Sequence, residues 1–384
     1  MFGMSTGYTD LPLHSGHVPK WLADLMKRLS YAILEIIVDE YGPDKVVEKL
    51  SNPLWFQAFN NIIGMDWDSS GSTTVTTGIL KEVTWKADLG VIVVGGKGEK
   101  ARKVVNEIDI IAEKFNFTSS KVETLKRASK LTAKVDSSLL QDNYQLYHHS
   151  IIISEDGNWC VVQQGMNVDL KMARRYHWYS KALKSYVIEP HSGIACNRVD
   201  YALNLIDKDA KGARKTILDL ARENPNNVIN DMKRALRVVR GIHPLTHWLK
   251  DVKDEDVRYR TIYYKPVKPT RTLVRTLRKL YEITPSKLED MLLVKGVGPS
   301  TIRALVLVSD LIYNEPPSWK DPVTHPYDPF IYAYAFGGKD GVPYPVNRKV
   351  MEETISILEE AINKAKIGET ERLKALRRLR NLMK

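Results

Sequence analysis

Cysteine is almost absent: Cys160 and Cys196 are the only two among 384 residues. A pair of thiols cannot build a disulfide framework or a cysteine-rich zinc site. So few of them suit a reducing compartment, and the expected location is the cytoplasm. Also missing is any run of the roughly 18–20 apolar residues that a membrane helix needs. The segment Met1–Leu13 lacks the basic start and apolar stretch of a secretory signal. No internal repeat or low-complexity tract is present. At 43% hydrophobic and 27% charged residues the chain has ordinary material for a packed core. Its length predicts two or three packed units.

Acidic charge is scarce relative to basic charge. Lys and Arg number 57 against 46 Asp and Glu, a net +11, with an isoelectric point near 9.3. From Lys211 to Leu280 the sequence holds 18 Lys or Arg against 7 Asp or Glu, which leaves the remainder close to neutral. Clustered cations suit an anionic polymer, since phosphates are neutralised by closely spaced positive charge.

The first ~200 residues read as mixed helix and strand by apolar patterning. Lys20–Tyr41 carries Leu22, Leu25, Met26, Leu29, Ile33 and Ile36 at helical spacing, and Asp44–Leu50 is a shorter helix. Gly90–Val94 reads as a buried strand, followed by Gly95-Gly96-Lys97-Gly98 and one helix from Glu99 to Phe115. A glycine turn between strand and helix can cradle phosphate, although the spacing is not that of a nucleotide-hydrolysing loop. Ser150–Ile153 and Trp159–Gln163 flank Glu155-Asp156-Gly157-Asn158 as a β-hairpin. Beyond about Tyr201 the pattern turns helical: Ala210–Ala221, Val228–Arg240, Thr270–Tyr281 and Ser286–Leu293, then amphipathic helix from Asn347 to Lys384. The expected organisation is a mixed α/β unit over residues 1–205, a mostly α-helical unit over 206–320 and a helical extension over 321–384.

One local pattern carries chemistry. Over Leu288–Leu305 a helix runs into Lys295-Gly296-Val297-Gly298, and a second helix opens at Pro299, a favoured first position. The turn amides and the new helix N-terminus form a ready anion site. The pattern resembles a helix-hairpin-helix, which holds a DNA phosphate without reading sequence. On that resemblance Lys295, Gly296, Gly298, Ser300, Thr301 and Arg303 are the expected contacts with double-stranded DNA. Such hairpins serve glycosylases, nucleases, ligases and polymerases. In the base-excision glycosylase superfamily an essential aspartate follows some 20 residues later, and bifunctional members carry a lysine at the second helix start. Ser300 occupies that lysine position, which argues against an amine nucleophile there. Asp321 lies at a fitting distance in proline-rich surroundings unlike that superfamily.

The first unit spends polar and aromatic residues where a core alone does not require them. The runs are Thr6–His14, Asp66–Gly71, Ala133–Ser137, Gln141–His149, Val161–Asn167 and Arg174–Trp178, with Gly337–Val346 near the end. Read as T-G-Y-T-D-L-P-L-H, D-W-D-S-S-G, A-K-V-D-S, Q-D-N-Y-Q-L-Y-H-H, V-V-Q-Q-G-M-N and R-R-Y-H-W, they resemble the archaeal and bacterial domain-of-unknown-function family DUF763 over most of the chain. That label names no activity. Joined to the hairpin, it points to archaeal base-excision repair.

Excision of a base requires a carboxylate to stabilise the sugar cation or activate water, and strand scission requires an amine of lowered pKa. A flipped base is stacked on aromatics and read by amides. Lys134, Asp136, Asp142 and His148 are therefore the candidate catalytic residues. Tyr144, Gln145, Gln163, Gln164, Tyr176, His177 and Trp178 are the candidate substrate contacts. The expected activity is that of a DNA glycosylase, with or without lyase action, on a deaminated or oxidised base such as uracil or a 5-hydroxyuracil-like pyrimidine. A metal-dependent nuclease and a non-catalytic DNA-binding adaptor stay open. No cofactor is expected except a divalent metal for the nuclease, where His148, His149, His177, His191, Asp66, Asp68 and Asp142 are the available ligands. Adjacent His148 and His149 on a strand must point to opposite faces.

Overall fold

The computed structural model describes residues 18–65, 70–196, 199–241, 254–325 and 345–364. Segments 1–17, 66–69 and 326–344, with the tail beyond 364, lie outside the described residues, and with them Asp66, Asp68, the Thr6–His14 run and most of Gly337–Val346. Helix α1 (Lys20–Tyr41) forms where the apolar spacing predicts it, burying Leu22, Leu25, Met26 and Leu29 in one stripe. α2 (Pro43–Leu50) follows directly. α3 (Pro53–Ile62) starts at Asn52, whose side chain accepts from the Leu54 and Trp55 amides at 2.9 and 3.1 Å, a cap worth about 1 kcal/mol. α4 (Ser70–Lys86) buries Ser72, Thr73, Thr76 and Thr77 beside Ile79, Leu80 and Val83. Its hidden face is mostly hydroxyl, so apolar periodicity does not reveal it.

Strand β1 (Val91–Lys97) is buried over its first five residues. The helix expected from Glu99 to Phe115 is two, because the Lys103 amide closes a tight turn on the Lys100 carbonyl. α5 (Glu99–Arg102) and α6 (Val104–Lys114) lie on either side of it. α7 (Ser119–Lys134) widens at its end into a π-helical turn over Val135–Leu139, a distortion frequent at functional positions. Then come β2 (Leu140–Gln141), β3 (Gln145–Ser154), β4 (Trp159–Asn167), β5 (Met172–Tyr179), β6 (Gly193–Ala195) and β7 (Leu203–Asn204).

The main sheet is antiparallel in the order β1-β3-β4-β5-β6, and β2 pairs with β7 apart from it. Alternation along the strands feeds two cores. Val91, Val93, Ile152, Cys160 and Val162 meet α1, α3 and α4 on one face. Ile92, Val94, Ile151, Ile153, Val161 and Trp178 meet α6 and α7 on the other.

The second half is helical, as expected: α8 (Lys211–Arg222), α9 (Pro225–Val239), α10 (Asp254–Tyr264), α11 (Arg271–Ile283), α12 (Leu288–Leu293) and α13 (Pro299–Tyr313). Their apolar residues, including Ile217, Met232, Leu277, Ile302 and Leu305, share one continuous cluster with the second face of the sheet. Asp310 of α13 takes Arg260 at 2.9 Å and the Tyr264 hydroxyl at 2.8 Å from α10. The chain then returns to the sheet, with His325 bridging to Ala195. α14 (Arg348–Lys364) packs Met351 and Ile355 against the α1 side. Among the described residues no helix is long and apolar enough to cross a membrane.

Candidate functional site

A polar band crosses the middle of the sheet. His148, Gln164 and Arg175 are cross-strand neighbours in one row, and His149, Gln163 and Tyr176 in the next. Because neighbours in a strand face opposite ways, the doubled runs His148-His149, Gln163-Gln164 and Arg174-Arg175 each place one residue on each face.

On the face toward α7, Asp136 of the π-helical turn is buried and receives three donors. Gln163 Nε2 lies at 2.5 Å, Trp178 Nε1 at 2.9 Å and His191 Nε2 at 2.6 Å. With its amide nitrogen committed to Asp136, Gln163 offers Oε1 to His149 Nδ1 at 2.9 Å, and His149 Nε2 accepts from the Ser129 hydroxyl at 2.8 Å. A second cluster adjoins it. Arg174, fully buried, reaches Asp142 at 2.9 Å and binds both oxygens of Asp321 at 2.8 Å. Tyr176 donates to Asp142 at 2.7 Å, and the Arg174 guanidinium lies 4.5 Å over the Tyr144 ring. Burial pushes the Asp142 carboxyl up, against the pull of Arg174.

The opposite face is closed by α3 and α4. Arg175 binds Thr73 at 2.9 Å and Gln57 at 3.0 Å, with Phe56 under its guanidinium at 4.7 Å. Gln164 is held by Thr73, Tyr147 and the Ser70 carbonyl. His148 Nε2 meets Thr77 at 3.1 Å and Ser150 at 3.0 Å, and burial pulls its pKa down to about 3. His177 donates to the Leu50 carbonyl at 3.1 Å, and burial depresses it as well.

The glycine turn after Leu293 lies in the helical half. Gly296 sits at φ +108°, and a Cβ there would meet Thr276 Oγ1 at 2.5 Å. Gly298 is extended and faces open space. Thr301 returns its hydroxyl to the Gly296 carbonyl at 3.1 Å, fixing the turn. A groove of about 470 Å³ runs along this turn between the first turns of α11 and α13. Lys268, Thr270, Gly298, Ser300 and Arg303 line it. Pro299 and Arg303 also border a neighbouring recess of about 440 Å³ containing Gln141, Asp142, Tyr144 and Gln145.

The candidate catalytic residues do not converge. Lys134 donates to the Val297 carbonyl at 2.5 Å, so it touches the glycine turn rather than Asp136, and burial pulls its amine below the usual value. Asp136 and Asp142 belong to adjoining clusters on one face, while His148 is sealed on the other. Tyr144, Tyr176 and Trp178 join Asp136 and Asp142, whereas Gln164 and His177 lie across the sheet. Gln163 and Gln164 spend their amides internally. Gln145 is exposed at the recess. Of the turn residues, Lys295, Gly296 and Ser300 are exposed, whereas Arg303 is bonded to Gln141 Oε1 at 2.6 Å and Thr301 is buried.

Two further expectations change. The Gly95 amide that was to cradle phosphate donates to Glu107 at 2.7 Å, and Lys81 neutralises that carboxylate. Asp321, at a fitting distance from the hairpin in sequence, is held in a buried ion pair by Arg174. His148 and His149 do face opposite sides, and among the described residues no three His, Cys, Asp or Glu side chains gather as a metal set. Sequence reasoning gave His191 no role beyond metal binding. Its partnership with Asp136 spans 55 positions and had no local signal.

All of these residues fall inside a match to known families. The family described as "Protein of unknown function (DUF763)" matches residues 7–346. The chain belongs to this family. No curated protein and no solved structure matches it. The DUF763 match spans both the polar band and the glycine turn, so the two features belong to one family unit.

Proposed function

We propose that this protein is a DNA-repair enzyme, a DNA glycosylase with lyase action, which holds duplex DNA at the α12–α13 turn. The groove at that turn carries the reading. Its floor is backbone at Gly298, its walls include the first turns of two helices, and Lys268 supplies positive charge. Phosphate binding of this kind positions a duplex without reading its sequence. The recess across Pro299 and Arg303 presents the exposed Gln145 beside buried Tyr144, and an amide of this kind can read the edge of a nucleotide drawn from the stack.

Lys134 is the amine best placed for the covalent step, because partial burial beside the turn favours its neutral form. Its lone pair would attack C1′ of the damaged nucleotide, and the base would leave with the glycosidic electron pair and take up a proton. Opening of the sugar, with the C1′–O4′ electron pair and a proton going to O4′, then leaves a Schiff base between Lys134 and C1′, from which loss of a C2′ proton expels the 3′ phosphate by β-elimination. A second reading is favoured by the same contact: Lys134 braces the turn at Val297, as it would in a DNA-binding adaptor without catalysis.

The deciding experiment incubates full-length protein, in chelator, with duplexes each carrying one deaminated or oxidised base. Cleavage at one lesion, trapping by borohydride and loss of the trapped species in Lys134→Met support the enzyme. Duplex binding without any covalent change leaves the adaptor. Gly298→Ala is expected to weaken duplex binding about tenfold, or ~1.4 kcal/mol, with unfolding unchanged. Full affinity in that variant removes the groove from the proposal.

A further inference from the structure

A cavity of about 380 Å³ lies at the far end of the Asp136 cluster, lined by His191, Glu189, Ile194, Ile206, Pro322 and Thr324 among others. It shares no lining residue with the groove or the recess at the glycine turn. His191 is the group that connects it to the polar band.

The tautomer of His191 follows from its partner. Asp136 accepts on one oxygen from Gln163 and Trp178 and on the other from His191 Nε2, so the carboxylate has only acceptors to offer and the Nε2 proton is the bridging one. The other ring nitrogen, Nδ1, has no partner among the described residues. Trp178 fixes the ring edge-on at 4.6 Å. Glu189, exposed at the cavity, holds a left-handed backbone at φ +42° although it is not glycine, a conformation that costs about 1–3 kcal/mol and is kept mostly where position matters. Its carboxylate makes no hydrogen bond among the described residues.

The remaining polar groups of the cavity are already engaged. Asn204 accepts from the Ile206 and Asp207 amides and donates to the Lys320 carbonyl. Asp321 is held by Arg174, Asp207 accepts from Ser318, and Lys320 pairs with Asp209. What the cavity offers a guest is therefore the Glu189 carboxylate and the unpartnered His191 Nδ1, beside the partly exposed Pro322. Apolar walls with a few convergent polar groups are the usual make-up of a small-ligand site. A guest matching this set presents N–H donors on one edge.

We propose that this cavity binds an amino-substituted nucleobase, as the free nucleoside or nucleotide, through His191 and Glu189. The exocyclic amine donates to Glu189 or to His191 Nδ1, and the ring lies against Pro322. Binding at this cavity is independent of the hairpin groove, so either can fail alone.

The test uses full-length protein with histidine labelled in nitrogen-15, titrated with adenosine and cytidine and, as matched controls lacking the amine, inosine and uridine. Before titration, at neutral pH, the His191 signals are expected to show protonated Nε2 and unprotonated Nδ1. Adenosine or cytidine should then move the Nδ1 resonance and bind at least about tenfold tighter than its control, a gap of ~1.4 kcal/mol. Glu189→Gln, an exposed change that leaves the fold intact, should erase most of that gap. Duplex binding measured on the same sample should be unchanged. A protonated Nδ1, equal binding of amine and control nucleosides, or no shift with any of the four at millimolar concentration overturns the assignment.

Discussion

The two faces of the sheet are built from the same doubled runs, yet they behave differently. Toward α7 the band carries three carboxyl groups, Asp136, Asp142 and Asp321, with the guanidinium of Arg174, and reaches a cavity through His191. Toward α3 and α4 it consists largely of neutral partners: His148 with Thr77 and Ser150, Gln164 with Thr73, and Arg175 with Thr73 and Gln57. What differs is what packs on top. A hydroxyl-rich helix covers one face, where His148 Nδ1 and His177 Nε2 stay buried without a hydrogen-bond partner among the described residues. The π-helical turn and the returning segment around Asp321 bring charge to the other. A buried polar network stays available for chemistry where it ends at a cavity, and among the described residues the α7 face reaches one at His191.

The largest expected effect tests the charged face. Arg174→Met leaves Asp142 and Asp321 buried without their cation, a loss of about 3–5 kcal/mol in denaturant unfolding. Adding Asp142→Asn and Asp321→Asn to that variant should recover much of the loss. A single-variant cost below ~1 kcal/mol would mean that the two carboxylates are not tied together by Arg174.

Acid should find the opposite face first. His148 has a folded pKa near 3 against 6.5 unfolded. Between those values the unfolded chain binds more protons, so the neutral fold loses stability as pH falls from about 6.5 toward 3. The slope is about 1.4 kcal/mol per pH unit for each histidine held neutral. In His148→Asn that contribution disappears, and the stability gap between variant and parent should narrow as pH falls from 7 to 4. A constant gap would place His148 in contact with water.

The smallest effect separates the faces most directly. Gln163→Leu and Gln164→Leu should each cost about 1–3 kcal/mol through the polar partners left unsatisfied. Only Gln163→Leu should move the nitrogen signals of His191, since only Gln163 shares Asp136 with it. Equal responses from the two variants would merge the networks that the sheet holds apart.

Much of the frame was legible in the sequence. The apolar stripe of α1, the buried start of β1, the β3–β4 hairpin and the helices of the second half other than α10 show repeating apolar positions and formed where that periodicity placed them, whereas α10 (Asp254–Tyr264) has no apolar period and went unread. α4 did not show, because its hidden face is Ser72, Thr73, Thr76 and Thr77, and hydroxyls facing polar strand residues leave no apolar period. The Glu99–Phe115 stretch read as one helix because a single tight turn at Lys103 changes direction without changing the pattern. At the site, strand alternation correctly separated His148 from His149, but it gave no hint of the partners each would meet.

By itself, then, the sequence determined the elements with local periodicity, the glycine turn at Gly296 to Gly298, the basic excess of the helical half and the membership of the polar runs in one family. Only the tertiary structure decided which carboxylate meets which cation. Arg174 finds Asp321 across 147 positions, Asp136 finds His191 across 55, and Lys134 meets Val297 across 163. Such pairings have no period and no spacing rule. They exist because packing brings a π-helical turn, a strand and a returning segment together in a place where water is excluded, and there each buried charge requires a partner.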